Sequence, residues 1–160
     1  MKKTLSIISI AVLAVAAVLC SGCTHDDADN TITANYGVYC INGSYEDGTA
    51  YGRMYLYQNA SSYNAVTGGM SGEFIRFEFT LPEGAGSIFG QKLKIVGTPE
   101  KPGTANCFST GMHAEMGGWI DQGTISFDEG GGVSGKLKYS GKTYNLIFDG
   151  ELKKVEKANG

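Results

Sequence analysis

Along EFIRFEFTL, Ile75, Phe77, Phe79 and Leu81 face one way while Arg76, Glu78 and Thr80 face the other. This period of two is the signature of a half-buried strand, and Pro82 and Gly84 end it. IFGQKLKIV sets Phe89, Leu93 and Ile95 against Lys92 and Lys94. The last third divides at glycine-rich turns into three strands carrying Ile125 and Phe127, then Val133, Leu137 and Tyr139, then Tyr144, Leu146 and Phe148. Glycines at 130 to 132 and at 141 supply the positive φ that tight connections need. Near the start, Tyr36 to Tyr45 and Thr49 to Gln58 form a hairpin around Glu46-Asp47-Gly48. No amphipathic helix follows residue 30. The pattern predicts an all-β domain: an antiparallel β-sandwich of about seven or eight strands, with a small β-barrel as the alternative.

Two stretches lack the alternation. Asn59 to Gly72 is a Ser/Asn/Gly loop, and Gly97 to Gly118 is a longer one that holds Cys107, Met112, His113 and Met116. Loops this long in compact domains are usually functional or disordered. The final KKVEKANG is polar and is expected to fray.

The N-terminus follows a different pattern. Met1-Lys2-Lys3 is positive, and the fifteen residues Leu5 to Leu19 are apolar except for Ser6 and Ser9. At about 1.5 Å per residue such a helix reaches roughly 22 Å, short of a hydrocarbon core of about 30 Å. The segment therefore reads as a secretory signal peptide. At its exit, Ser21-Gly22-Cys23 resembles the lipobox of bacterial lipoproteins, with Cys20 standing where leucine is usual. The resemblance implies that the Cys23 sulfur takes a diacylglycerol and becomes the mature N-terminus. Cys20 is the poorer candidate, because bulky Leu19 precedes it. Several acyl chains, at about 0.8 kcal/mol per buried CH₂, make a stable anchor.

Thr24 to Thr31 has three aspartates and little hydrophobic content, so it reads as a solvated tether. Acids directly after the lipidated cysteine look like the surface-export signal of Bacteroides-type lipoproteins; a plain spacer is the competing reading. Together, signal, lipobox, tether and glycine-punctuated meander resemble the small β-rich surface lipoproteins of those bacteria. That resemblance implies an outer-membrane location, at the cell surface or otherwise on the periplasmic face, and brings no activity with it. The division is then 1–22 signal peptide, 23–32 lipidated acidic tether, 33–153 a single all-β domain and 154–160 a polar tail.

Charge and cysteine content narrow the partners. Without residues 1–22 the chain keeps 11 of its 13 basic residues against 16 acids, a net charge of −5. That balance argues against nucleic acid and against anionic lipid as a docking surface. Two cysteines remain in the domain, Cys40 and Cys107. Outside the inner membrane an even pair reads as a disulfide. It would close a loop of 67 residues, stabilising the fold by about 4 kcal/mol in the chain-entropy account; two separate buried thiols are the alternative.

Candidate chemistry is sparse. Cys107, Met112, His113 and Met116 are soft ligands of the kind copper(I) selects, but their spacing matches no established site, and the methionines read as core filler. No metal and no cofactor are expected. A Ser-His-acid set would have only His113 to draw on, and no serine, Ser109 included, lies in a nucleophile elbow. Glu73, Glu78, Asp121, Asp128 and Asp149 are available for a carboxylate pair, though surface solvation accounts for each.

Tyr51, Tyr55 and Tyr57 share one strand face with Arg53, opposite Met54 and Leu56. Exposed, such a stripe stacks on sugars or contacts a protein; buried, it is cross-strand packing. The reading is a non-catalytic, membrane-anchored binding or interaction module. Its candidate contacts are Arg53, Tyr55, Tyr57 and Trp119, and its partner is a glycan or an envelope protein. A glycan-acting enzyme and a structural subunit of an envelope assembly are the alternatives.

Cys23→Ser should abolish both fatty-acid labelling and partitioning into detergent. Labelling that survives this change but is lost in Cys20→Ser would move the anchor to Cys20.

Overall fold

The computed structural model describes residues 30–99, 101–156 and 158; the signal peptide, Cys23 and the acidic run of the tether lie outside them. The chain is all-β. Its strands are β1 (Thr31–Ala34), β2 (Tyr36–Ser44), β3 (Ala50–Tyr57), β4 (Tyr63–Asn64), β5 (Gly69–Met70), β6 (Phe74–Thr80) and β7 (Lys92–Ile95). They continue with β8 (Thr104–His113), β9 (Met116–Trp119), β10 (Gln122–Phe127), β11 (Val133–Tyr139), β12 (Lys142–Phe148) and β13 (Leu152–Lys154). A 3₁₀ turn over Ala60–Ser62 precedes β4.

One strongly curled sheet runs in the order β1-β12-β11-β10-β7-β8-β6-β3-β2-β13, with β9 paired to β8, and β4-β5 forms a separate small hairpin. The expected hairpin over β2 and β3 is present, with the Asp47 carboxylate accepting from the Thr49 amide at 2.9 Å inside its turn. The C-terminal meander is present too, in register along β10, β11 and β12. Ser140 and Gly141, at φ 50° and 81°, make the two-residue turn between β11 and β12, whose primed geometry matches strand twist.

The sheet is not purely antiparallel. β1 runs parallel to β12, β13 parallel to β2, and β7 parallel to β8. Only Asn35 separates β1 from β2, and only Asp149–Glu151 separate β12 from β13. The chain's first strand segment therefore runs beside its last from Thr31↔Asn145 to Tyr39↔Lys154.

The curl is accommodated by absent side chains. At Gly52 a Cβ would run into the Cys40 carbonyl on β2, and at Gly123 into the Lys136 carbonyl on β11, so only glycine allows the neighbouring strand that close. The concave face packs the main core, including Met54, Leu56, Ile75, Phe77, Phe79, Leu93, Ile125, Leu137 and Leu146.

A second, smaller cluster lies on the convex side: Val38, Cys40, Tyr55 and Tyr57 are covered by Tyr63, Met70, Phe74, Val155 and Ala158. Val155 and Ala158 of the polar tail are thus part of the fold. Ala158 is only 3% exposed, and its carbonyl accepts from Arg53 Nη1 at 3.2 Å.

The stretch from Gly97 to Gly118 is not a loop. It contains most of β8 and β9, and β8 is the longest strand of the sheet. Its core-facing positions Ala105, Cys107 and Ser109 are small or polar, so its hydropathy does not alternate.

The expected disulfide is absent. Cys40 and Cys107 are both free and buried. Cys40 sits in the convex cluster and Cys107 in the main core, with β3 and β6 between their strands. Three strand spacings amount to about 14 Å, whereas bridged Cα atoms lie at most about 7 Å apart. Burial also pushes the Cys107 thiol well up, which keeps it protonated and unreactive. Under denaturing conditions without reductant, Cys40 and Cys107 should both alkylate, and reductant should leave the melting temperature unchanged. Two positions that alkylate only after reduction, or a drop in melting temperature on reduction, would contradict two free thiols.

Candidate functional site

Cross-strand register builds a continuous row on the convex face of β2, β3, β6, β8 and β9: Val38, Tyr55, Arg76, Phe108 and Trp119 stand side by side. A second row places Cys40, Arg53, Glu78 and Asn106 next to it. Period-2 alternation puts these residues outward because Leu56, Ile75, Phe77 and Cys107 take the core side.

The two ends of the first row differ. Tyr55 is 0% exposed, edge-on to Phe74 with ring centroids 5.2 Å apart, and Tyr57 stacks on Tyr36 at 5.7 Å. The core takes Met54 and Leu56, yet Tyr55 and Tyr57 are buried as well, beneath the 59–72 segment and the tail. The aromatic stripe is therefore packing, and neither ring can meet a ligand. Arg53 is withdrawn too: Nη2 lies 2.8 Å from Glu78 Oε1, and Nη1 holds the tail.

Trp119 is the opposite case. It is 53% exposed, and its ring packs edge-to-face on Phe108 at 5.1 Å. The Arg76 guanidinium lies 5.5 Å from the centroids of both rings. The indole is thus fixed from behind by an aromatic and a cation while presenting area to solvent. Arg76 and Phe108 extend the site beyond the residues the sequence singled out. Arg76 was legible as an outward-facing position of β6, but Phe108 was not, since its strand was read as loop.

Glu78 ties the rows together. Its carboxylate accepts from Arg53 and from Asn106 Nδ2 at 3.2 Å, and Arg76 Nε stands 3.9 Å away. Burial pushes the Glu78 carboxyl up, but the Asn106 amide, Arg53 and Arg76 pull it further down, so it sits below its ordinary value. Among the described residues, the buried Nε atoms of Arg53 and Arg76 and the Tyr55 hydroxyl have no hydrogen-bond partner.

Asp128 and Asp121 hold turns. Asp128 accepts from the Gly132 amide at 2.7 Å, and Asp121 from the Ser140 amide at 3.0 Å. Met112 and Met116 are core residues, and His113 packs edge-on to Tyr144 at 5.0 Å. Among the described residues no group of three or more His, Cys, Asp and Glu could hold a metal ion. No protein-family model, curated protein or solved structure matches this chain.

Because the folded carboxyl of Glu78 is held below its unfolded value, its ion pairs stabilise the fold above that value and the contribution fades as pH falls through the folded one. Glu78→Gln should therefore flatten the loss of stability between neutral pH and about pH 3. At this half-exposed position the difference should be about 1 kcal/mol or less. Melting curves that fall with pH as steeply in the variant as in the wild type would show that Glu78 carries none of that dependence.

Proposed function

We propose that the protein is a lipid-anchored, non-catalytic recognition module of the outer membrane, that its curled sheet is a small barrel, and that it grips a glycan through Trp119. The barrel reading rests on the parallel pairing of the first strand segment with the last, which leaves both short of free partners. The anchor rests on the lipobox at Cys23 and the acidic tether after it.

The observation that carries the ligand reading is Trp119 itself, more than half exposed yet pinned by Phe108 and Arg76. An aromatic face held in place before binding loses little freedom when a sugar ring stacks on it. Arg76, half-buried beside the ring, supplies hydrogen bonds to sugar hydroxyls. Arg53, Tyr55 and Tyr57 act behind the site by fixing β3 and β6 under the tail. The engagement of Glu78, Asp121 and Asp128 in ion pairs and turns supports the non-catalytic reading over glycan cleavage, which needs two convergent free carboxyls.

Trp119 is the only tryptophan, so its fluorescence reports the site directly. A glycan array with the full-length protein in nonionic detergent, followed by fluorescence titration of the hits, should reveal a glycan that shifts the emission. Trp119→Ala should remove that binding with little change in melting temperature. Tyr55→Ala should instead cost about 3 to 5 kcal/mol of stability, as a buried ring does. If no glycan moves the Trp119 signal, the ligand reading fails.

A further inference from the structure

The half of the sheet away from Trp119's row carries a second feature. The outward positions of β7 and β11 are Lys92, Lys94, Lys136 and Lys138, all exposed. Register sets Lys94 and Lys136 on either side of Thr124, with Lys92 opposite Ser126 and Lys138 opposite Gln122. The four ammonium groups therefore step diagonally across three strands. Strand geometry puts the Cα atoms of Lys92 and Lys138 about 17 Å apart and those of Lys94 and Lys136 about 10 Å apart.

All four line a depression of about 560 Å³ whose lining contains no acidic side chain, and among the described residues none of the four is in an ion pair. In a chain with more acids than bases, this is a concentrated positive field over an open depression of the outer face.

We propose that this lysine-lined depression is a binding site for an anionic glycan, one bearing carboxylate or sulfate groups along its length. The span of the charges exceeds what one sugar or one phosphate can bridge. Between the lysines, Thr124, Gln122 and Thr143 offer hydroxyl and amide groups suited to sugar hydroxyls. No aromatic residue lines the depression, so nucleobases find nothing to stack on. β7, β10 and β11 are each paired on both sides, which denies an acidic peptide the open edge it needs to add as a strand. The site is separate from Trp119 and does not depend on it.

The test is a titration of full-length protein in nonionic detergent against fluorescent polygalacturonate and dextran sulfate, read by anisotropy. Neutral dextran, polyglutamate and single-stranded DNA serve as comparators. Both charged glycans should bind and neutral dextran should not, with affinity falling steadily as salt rises. The double variant Lys94→Gln/Lys136→Gln should weaken charged-glycan binding by about tenfold or more and reduce its salt dependence, with the melting temperature not lowered. Lys153→Gln/Lys154→Gln should bind as the wild type does. Failure of both charged glycans, or wild-type affinity in the Lys94/Lys136 double variant, would overturn the proposal. So would polyglutamate or DNA binding as tightly as the glycans.

Discussion

The parallel pairing of the first strand segment with the last holds the rest of the structure in place. Strands distant in sequence pair only after a long loop has been closed, so the ladder from Thr31↔Asn145 to Tyr39↔Lys154 is the least local contact in the molecule. It fixes where β2 and β12 stand, and through them the registers of β3 and β11. It also shields two strands that would otherwise present bare hydrogen-bonding edges. Backbone bonds continue it past the strand ends, with Asn145 donating to the Asn30 carbonyl at 2.8 Å and Val155 to the Tyr39 carbonyl at 2.8 Å. The second of these starts the tail across the convex face, which is how the edge pairing also produces the second hydrophobic cluster.

That second cluster changes what alternation means. In a sheet with one buried face, half of each strand's side chains must be polar. β3 violates the rule: Met54 and Leu56 fill the concave core while Tyr55 and Tyr57 fill the convex cluster. Two layers of packing on one strand make β2, β3 and β6 the rigid part of the sheet. The Arg53–Glu78–Asn106 network sits at the border of that region, where partial burial strengthens its hydrogen bonds. Arg76 extends from the same border to Phe108 and Trp119. The exposed indole is therefore supported from the part of the sheet that is buried on both faces, although it lies on a short strand paired to β8.

What could be read from the sequence follows from these facts. β6 and the meander β10–β12 were legible because each has one wet face and one dry face, so hydropathy alternates. β8 was not, because its core positions Ala105, Cys107 and Ser109 are small or polar while Phe108 faces outward. The tyrosine stripe stayed ambiguous because its cover comes from the 59–72 segment and from Val155 and Ala158, neither of which has a period of its own. The two cysteines suggested a bridge by their number alone, yet a count carries no information about which face each residue takes. Trp119 was visible as a lone tryptophan beside an apparent loop; its support by Arg76 and Phe108 needed the register.

The two halves of the convex face show that stability alone does not place the lysines. Over β2, β3 and β6 the protein covers its outer side with apolar groups and pairs its charges. Over β7, β10 and β11 it leaves four like charges within about 7 to 10 Å of their neighbours by strand geometry, a distance comparable to the screening length of about 8 Å at physiological salt. Such groups repel one another and weaken the fold slightly. Acids were available to the chain in excess, and one placed at Thr124 would lie between Lys94 and Lys136 and neutralise them. Instead that position holds a hydroxyl. A face that keeps its repulsion when a single substitution would relieve it is arranged for a counter-charge that comes from outside the chain.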